Sequence, residues 1–277
     1  MRPIVRPLFL LHPNEVLRER LALVEAGAFR LTPVDGWDAL GAALRRAPGT
    51  AVSVVDPYDA RGGLAAELRT LLDELPSATV LAACQVVPGR ADDLRTLLQW
   101  GVADVIALGR EDSAPALARR IRLVQARTIH RLLRRALPRG VPSRARALLT
   151  TAAETVAAGG QAPELAAALG VTERTVPRWF ERADLPPPRR LLAWLRLLLA
   201  AELLDDPGRS VASVARGCGY ASEVSLKAAL RQFMGAPPSE LRERGAFETA
   251  ANVFSRELFE LREAARARGK PEKTWLN

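Results

Sequence analysis

Cysteine is nearly absent: Cys84 and Cys218 are the only two in 277 residues, and they lie far apart. They form neither a disulfide framework nor a metal-ligand spacing, and each reads as a small buried hydrophobe. Histidine is equally scarce. His12 and His130 have no ligating or nucleophilic companions nearby in sequence, so both read as structural or surface residues. No Ser/His/Asp set, metal cluster or phosphate loop can be assembled, which leaves an enzyme little support and implies no cofactor. Long apolar runs are missing as well. The most apolar window, Leu191 to Leu204, contains Arg196 and falls short of the roughly 20 residues needed to cross a bilayer, so it reads as a buried core helix. The opening MRPIVRPLFLLHPNE is basic and briefly apolar, but Arg6 interrupts it and no small-residue cleavage site follows. The expectation is a cytoplasmic protein without a membrane partner.

What is present is ample core material and an uneven charge. Apolar residues make up 48% of the chain, enough for about two domains of this length. The net charge is +9, but residues 1–125 hold 15 basic and 15 acidic side chains, while residues 126–277 hold 25 and 16. A neutral module joined to a basic one implies that the second meets a polyanion.

In the first half, apolar runs at Val5 to Leu11, Phe29 to Pro33, Ala51 to Val55, Thr79 to Ala83 and Asp104 to Ala107 alternate with helical patterns. Continuous apolar strands such as AVSVV and TVLAA suit a parallel sheet covered on both faces. The fold class expected is an α/β amino-terminal domain, flavodoxin-like or receiver-like, with a five-stranded parallel sheet. Over roughly residues 4–125 the pattern resembles the receiver domain of bacterial response regulators. On that resemblance Asp56, ending the third strand, falls where the family carries its phosphoacceptor aspartate. The family's other site residues do not match: His12 and Pro13 stand in place of the acidic pair, Cys84 in place of the hydroxyl residue and Leu108 in place of the lysine. Glu15 is the nearest acid, and Asp59 is a second acid that could help hold a cation. The resemblance therefore implies a degenerate receiver, with Asp56 a vestigial phosphoacceptor and the domain a dimerisation or docking platform. A long amphipathic segment follows, with Leu117, Ile121, Val124, Leu132 and Leu133 on one stripe. It fits either pairing with a second subunit or a bridge to the next domain. Pro138 to Pro142 marks the linker.

The second half contains two short helix pairs. In one, PELAAAL, the turn Gly170-Val171-Thr172 and a helix through Arg182 follow each other. In the other, Ser210 and Ser222 sit at N-cap positions around the turn Gly217-Cys218-Gly219-Tyr220. Helices this short need packing around them. Leu226, Leu230 and Phe233 form the inner stripe of the last helix, which puts Glu223, Lys227 and Arg231 on its outer ridge. Both pairs read as helix-turn-helix units, joined by the apolar helix Arg189 to Asp205. Residues 160–242 resemble the DNA-binding domain of the AraC family of bacterial transcription regulators. The resemblance rests on the turn LGVT, the Arg178-Trp179-Phe180 cluster, Arg196, the CGYAS turn and the closing GAPPSELR.

That resemblance implies a sequence-specific regulator that binds double-stranded DNA, with Arg174, Arg178, Ser222, Glu223, Lys227 and Arg231 as the DNA-facing set; the further partners expected are a second copy of the chain, through the receiver-like half, and RNA polymerase. Val224 and Ala228 replace polar residues of the family's second reader. Pro177 requires the first reader either to start late, with Thr175 as N-cap, or to kink. The alternative function is a phosphorelay or scaffold protein whose helical half binds protein. The expected domains are 1–125, receiver-like; 126–142, helical extension and linker; 143–245, an all-α domain with two helix-turn-helix units; and 246–277, a helix carrying Phe247, Ala251, Phe254, Leu258 and Leu261, followed by a polar tail.

Overall fold

A computed structural model describes residues 6–24 and 29–267. The start of the first apolar run at Val5 and the polar tail from Gly269 lie outside the described residues.

The first part alternates strand and helix: β1 (Arg6–Leu11), α1 (Glu15–Val24), β2 (Phe29–Pro33), α2 (Trp37–Arg46), β3 (Val52–Val55), α3 (Ala66–Glu74), β4 (Thr79–Cys84), α4 (Ala91–Trp100), β5 (Asp104–Ala107) and α5 (Ala114–Ala136). All five strands are parallel, in the order β2-β1-β3-β4-β5. This is the flavodoxin-like doubly wound order. Strands β3 and β4 are buried along their whole length because helices cover both faces, hence their continuous apolar runs. Leu40, Leu44, Leu68 and Leu72 from α2 and α3 pack with Val55 and Val80 on one face. Leu17, Leu21, Leu117, Ile121 and Val124 from α1 and α5 pack with Leu10, Val54 and Leu81 on the other. The stripe of α5 that could have paired with a second subunit is thus taken up by the chain's own sheet as far as Val124. Gln125, 3% exposed, extends the attachment by donating to the Thr50 carbonyl at 2.8 Å and accepting from Arg6 at 3.0 Å.

The second part is helical: α6 (Ser143–Ala157), α7 (Ala162–Ala168), α8 (Val176–Arg182), α9 (Pro188–Leu204), α10 (Val211–Gly217), α11 (Glu223–Met234), α12 (Pro238–Arg244) and α13 (Ala246–Ala267). The chain divides into two compact units that are not continuous in sequence. One joins the residues up to Thr128 with Glu202–Leu226; the other joins Ile129–Ala201 with Lys227 onward. The helix supporting the second helix-turn-helix, α10, therefore belongs to the unit that contains the sheet.

In the helical unit, Trp194 is 1% exposed, with its ring edge-on to Phe233 at 4.8 Å and tilted against Phe254 at 5.5 Å. Its indole N–H donates to Glu257 Oε2 at 2.8 Å, and Arg190 holds the same carboxylate through two bonds. The helix after the closing motif thus completes the core, with Phe247, Ala251, Phe254 and Leu258 buried as their spacing implies. Leu261 is half-buried, as are Phe233 and Leu199, two of the residues read as core. Phe233 borders an open groove of about 550 Å³, with the Arg190 guanidinium over its ring at 5.1 Å.

Candidate nucleic-acid interface

The carboxyl ends of the strands come first, because Asp56 stands there. Asp56 is half-buried; its backbone N–H donates to the Leu11 carbonyl at 2.8 Å, and its Oδ1 accepts from the Tyr58 amide at 3.0 Å. Neither other acid joins it. Glu15 is exposed and ion-paired with Arg18, and Asp59 accepts from the amides of Arg61 and Gly63 at 2.9 and 3.0 Å. His12, which showed no partner in sequence, has two: Nδ1 accepts from the Asn14 amide at 3.0 Å, so Nε2 carries the proton and donates to the Ala83 carbonyl, also at 3.0 Å. The imidazole is therefore a brace between the ends of β1 and β4. His130 is exposed, 3.9 Å from Glu154.

Beside Asp56 lies a constellation that sequence reading missed. The Arg90 guanidinium sits over the Tyr58 ring at 4.4 Å, donates to the Gly62 carbonyl at 2.6 Å and lies 3.7 Å from Asp93. The Tyr58 hydroxyl donates to Asp93 at 3.3 Å. Burial, and then the Asp56 charge, push the Cys84 thiol above its usual range, so it stays protonated; burial raises Tyr58 in the same way. Here a cation, a phenol and a protonated thiol gather beside Asp56, and no group of three or more His, Cys, Asp and Glu side chains among the described residues is placed to hold a metal ion.

The two helix-turn-helix turns are built alike. At the first, the Gly170 amide donates to the Ala167 carbonyl at 3.1 Å and the Val171 amide to Ala166 at 3.0 Å, with Gly170 at φ 68°. At the second, Gly219 donates to Arg216 at 3.1 Å and Tyr220 to Ala215 at 2.9 Å, with Gly219 at φ 71°. In both, a left-handed glycine caps the first helix and turns the chain sharply, a conformation that a side chain with Cβ resists. Behind the first turn, Leu165, Val176 and Phe180 are buried; behind the second, Val214, Ala215, Leu226 and Leu230 are buried.

The first reader starts late. Helix α8 begins at Val176 with Thr175 as N-cap, so Pro177 stands in the first turn, where its missing N–H costs no helical bond. The kinked alternative is not adopted. Arg174 consequently lies on the turn before the helix, and Arg178 within it; both are exposed.

The second reader is capped by Ser222, whose Oγ accepts from the Ser225 amide at 3.2 Å. The side chain is exposed at the helix entrance and also bonds the Ser225 hydroxyl at 2.9 Å. Arg231 is exposed as its spacing implies. Glu223 and Lys227 are half-buried, and each interacts within the chain. One position further on, Val224 is 74% exposed, and Ala228 is exposed too. One residue turns a helix by about 100°, so a small tilt of the buried stripe moves the outer face from the charged row to the apolar one. Exposed cations at Arg174, Arg178, Arg182 and Arg231 can meet phosphates, and a bare Val/Ala strip can meet thymine methyl groups.

A family model described as a helix-turn-helix domain matches residues 165–244. The HTH-type transcriptional regulator GbdR of Pseudomonas aeruginosa is 32% identical over 80 residues, which cover 29% of this chain and 22% of that protein. The chain thus spans about a fifth of the length of this curated relative. Among solved structures, full-length FixJ from B. japonicum is 13% identical, covering 82% of this chain and 96% of that one with a TM-score of 0.38. The response regulator StyR is 16% identical, covering 68% and 96% with a TM-score of 0.27. No helix among the described residues is long and apolar enough to cross a membrane. With both glycine turns and the helices that follow them inside the matched stretch, the chain carries a helix-turn-helix domain over residues 165–244.

Proposed function

We propose that the protein is a transcription regulator that reads a specific duplex DNA sequence through α8 and α11, with its receiver-like domain serving as a docking platform and not as a phosphate relay. The observation that carries this reading is the duplicated turn geometry, which presents one exposed helix at each turn. Arg174, Arg178 and Arg231 grip phosphates. Ser222, Glu223 and Lys227 are the base-reading candidates of the second reader: on leaving their contacts within the chain, Glu223 could accept from a cytosine amino group and Lys227 could donate to guanine. Selection of duplexes from a randomised library by the full chain tests the proposal. One enriched site is expected, on which Glu223→Ala relaxes the preference at one base pair by about 1–3 kcal/mol, while Arg231→Ala weakens all duplexes alike. Failure to enrich any site would favour the scaffold reading. A homodimer on this account uses a surface other than the Leu117, Ile121 and Val124 stripe.

For Asp56 the expected outcome is inertness. Phosphoryl transfer to a carboxylate needs charge compensation by a cation held on neighbouring acids. Glu15 and Asp59 are engaged elsewhere, and Arg90 is committed to Tyr58, Gly62 and Asp93. Acetyl phosphate with Mg²⁺ should leave the protein unmodified. A hydroxylamine-sensitive adduct that disappears in Asp56→Asn would show otherwise.

A further inference from the structure

The loop between α9 and α10 meets the ends of two helices of the sheet domain. Arg209, 3% exposed, donates through one terminal guanidinium nitrogen to the carbonyls of Arg45 and Ala47 at 3.1 and 3.3 Å, the open carbonyl end of α2. The Gly208 amide donates to the carbonyl of Glu74, the last residue of α3, at 2.9 Å. Helix carbonyl ends carry partial negative charge and unsatisfied acceptors, so a guanidinium and an amide are the groups they require. Asp206, 2% exposed, ties these contacts together: Oδ1 accepts from the Ser77 amide at 2.9 Å, and Oδ2 accepts from Arg209 Nε at 2.9 Å and from the Ser77 hydroxyl.

Close backbone approach completes the contact. A Cβ on Gly217, the last residue of α10, would stand 2.8 Å from the Ala47 carbonyl oxygen, and one on Gly208 would stand 3.0 Å from that of Glu74. Neither glycine has a positive φ, so it is proximity and not turn geometry that excludes a side chain at these positions. Polar capping and glycine contact thus act at the end of the sheet where β3 and β4 begin, opposite the end that carries Asp56.

We propose that Asp206–Gly217 is a clamp by which the receiver-like domain holds the supporting helix of the second reader as part of itself. A change in the ends of α2 and α3 then reaches α10 and the entrance of α11 directly, without passing through the Pro138–Pro142 linker. The clamp leaves the entrance of the reader open, because Ser222 and Val224 stay exposed. Only the consequence for DNA rests on the regulator reading.

Hydrogen exchange of the full chain, followed by mass spectrometry without DNA, tests the clamp. Two variants approach it from opposite sides: Ser77→Ala removes a hydroxyl from the sheet domain, and Gly217→Val wedges a side chain against Ala47 while leaving the Asp206 network untouched. Peptides spanning 205–217 should exchange at least about tenfold faster in both variants, while those spanning Val52–Val55 keep their protection. Unchanged exchange at 205–217 in both variants would overturn the proposal. So would equal loss of protection throughout the sheet, because the segment would then be an inseparable part of one core and not a clamp.

Discussion

Replacing Trp194 with alanine should lower the free energy of unfolding by about 3–5 kcal/mol, the range for deleting a buried aromatic. The ring is 1% exposed and held edge-on by Phe233 and obliquely by Phe254. Its loss also deprives Glu257 of an N–H donor, although Arg190 continues to hold that carboxylate through two bonds. The adjoining groove lets water reach the vacated space, which holds the penalty within this range and does not add an empty cavity to it. Urea denaturation checks the value. Trp194→Phe, which keeps most of the volume and gives up the single hydrogen bond, should cost markedly less. Equal losses in the two variants would mean that the indole N–H, and not packing, carries the effect.

A second large effect is expected at Arg209. Breaking a buried ion pair from one side typically costs about 3–5 kcal/mol, because the remaining charge is stranded. Arg209→Met leaves the Asp206 carboxylate with Ser77 alone, and leaves the carbonyl end of α2 without its cation. The pH dependence has a definite sign. Burial already pushes the Asp206 carboxyl above the usual carboxylate range, against the opposing pull of Ser77 and Arg209, and removing the guanidinium pushes it further. An acid with a raised pKa in the folded state binds its proton more readily folded than unfolded. Stability therefore falls as pH rises from about 4, the unfolded carboxylate value, through the raised folded value, and is flat above it. The deficit of Arg209→Met relative to the unsubstituted protein should be full at neutral pH and should shrink towards pH 4. The nearest other charges are those of the Arg45–Glu74 ion pair. A deficit independent of pH would mean that lost packing, and not stranded charge, is responsible.

The sheet domain was legible because each strand is a short apolar run closed by turn residues; all five strands lie within a residue or so of where the runs place them. The helix-turn-helix pairs were legible for a similar reason, since glycine turns, serine caps and periodic leucines are local signals. What escaped was long-range. Asp206 and Arg209 read as loop charges after an apolar helix; nothing local distinguishes them from solvated ones, and their partners Ser77, Arg45 and Ala47 stand far away in sequence. Arg90 and Tyr58 escaped for the same reason, and so did the brace that His12 makes to Ala83. On α11 the exposure of Arg231 was legible, whereas the half-burial of Glu223 and Lys227 was not. Phe233 is only half-buried, and a ridge counted back from it places Glu223 and Lys227 further outward than they stand.

The central claim is that this chain grips duplex DNA through arginines on its two readers, and the salt dependence of binding tests it most directly. Fluorescence anisotropy of the full chain on duplex DNA, over about 50–200 mM salt, should give a straight line of log affinity against log salt with a negative slope of about 0.9 per phosphate neutralised. The triple variant Arg174→Ala, Arg178→Ala, Arg231→Ala should flatten that slope by about 2.7, three times the single-phosphate value, and should keep the melting temperature of the unsubstituted chain, because all three side chains are exposed. Absence of binding at the lowest salt, or a slope that the triple variant leaves unchanged, would contradict the account.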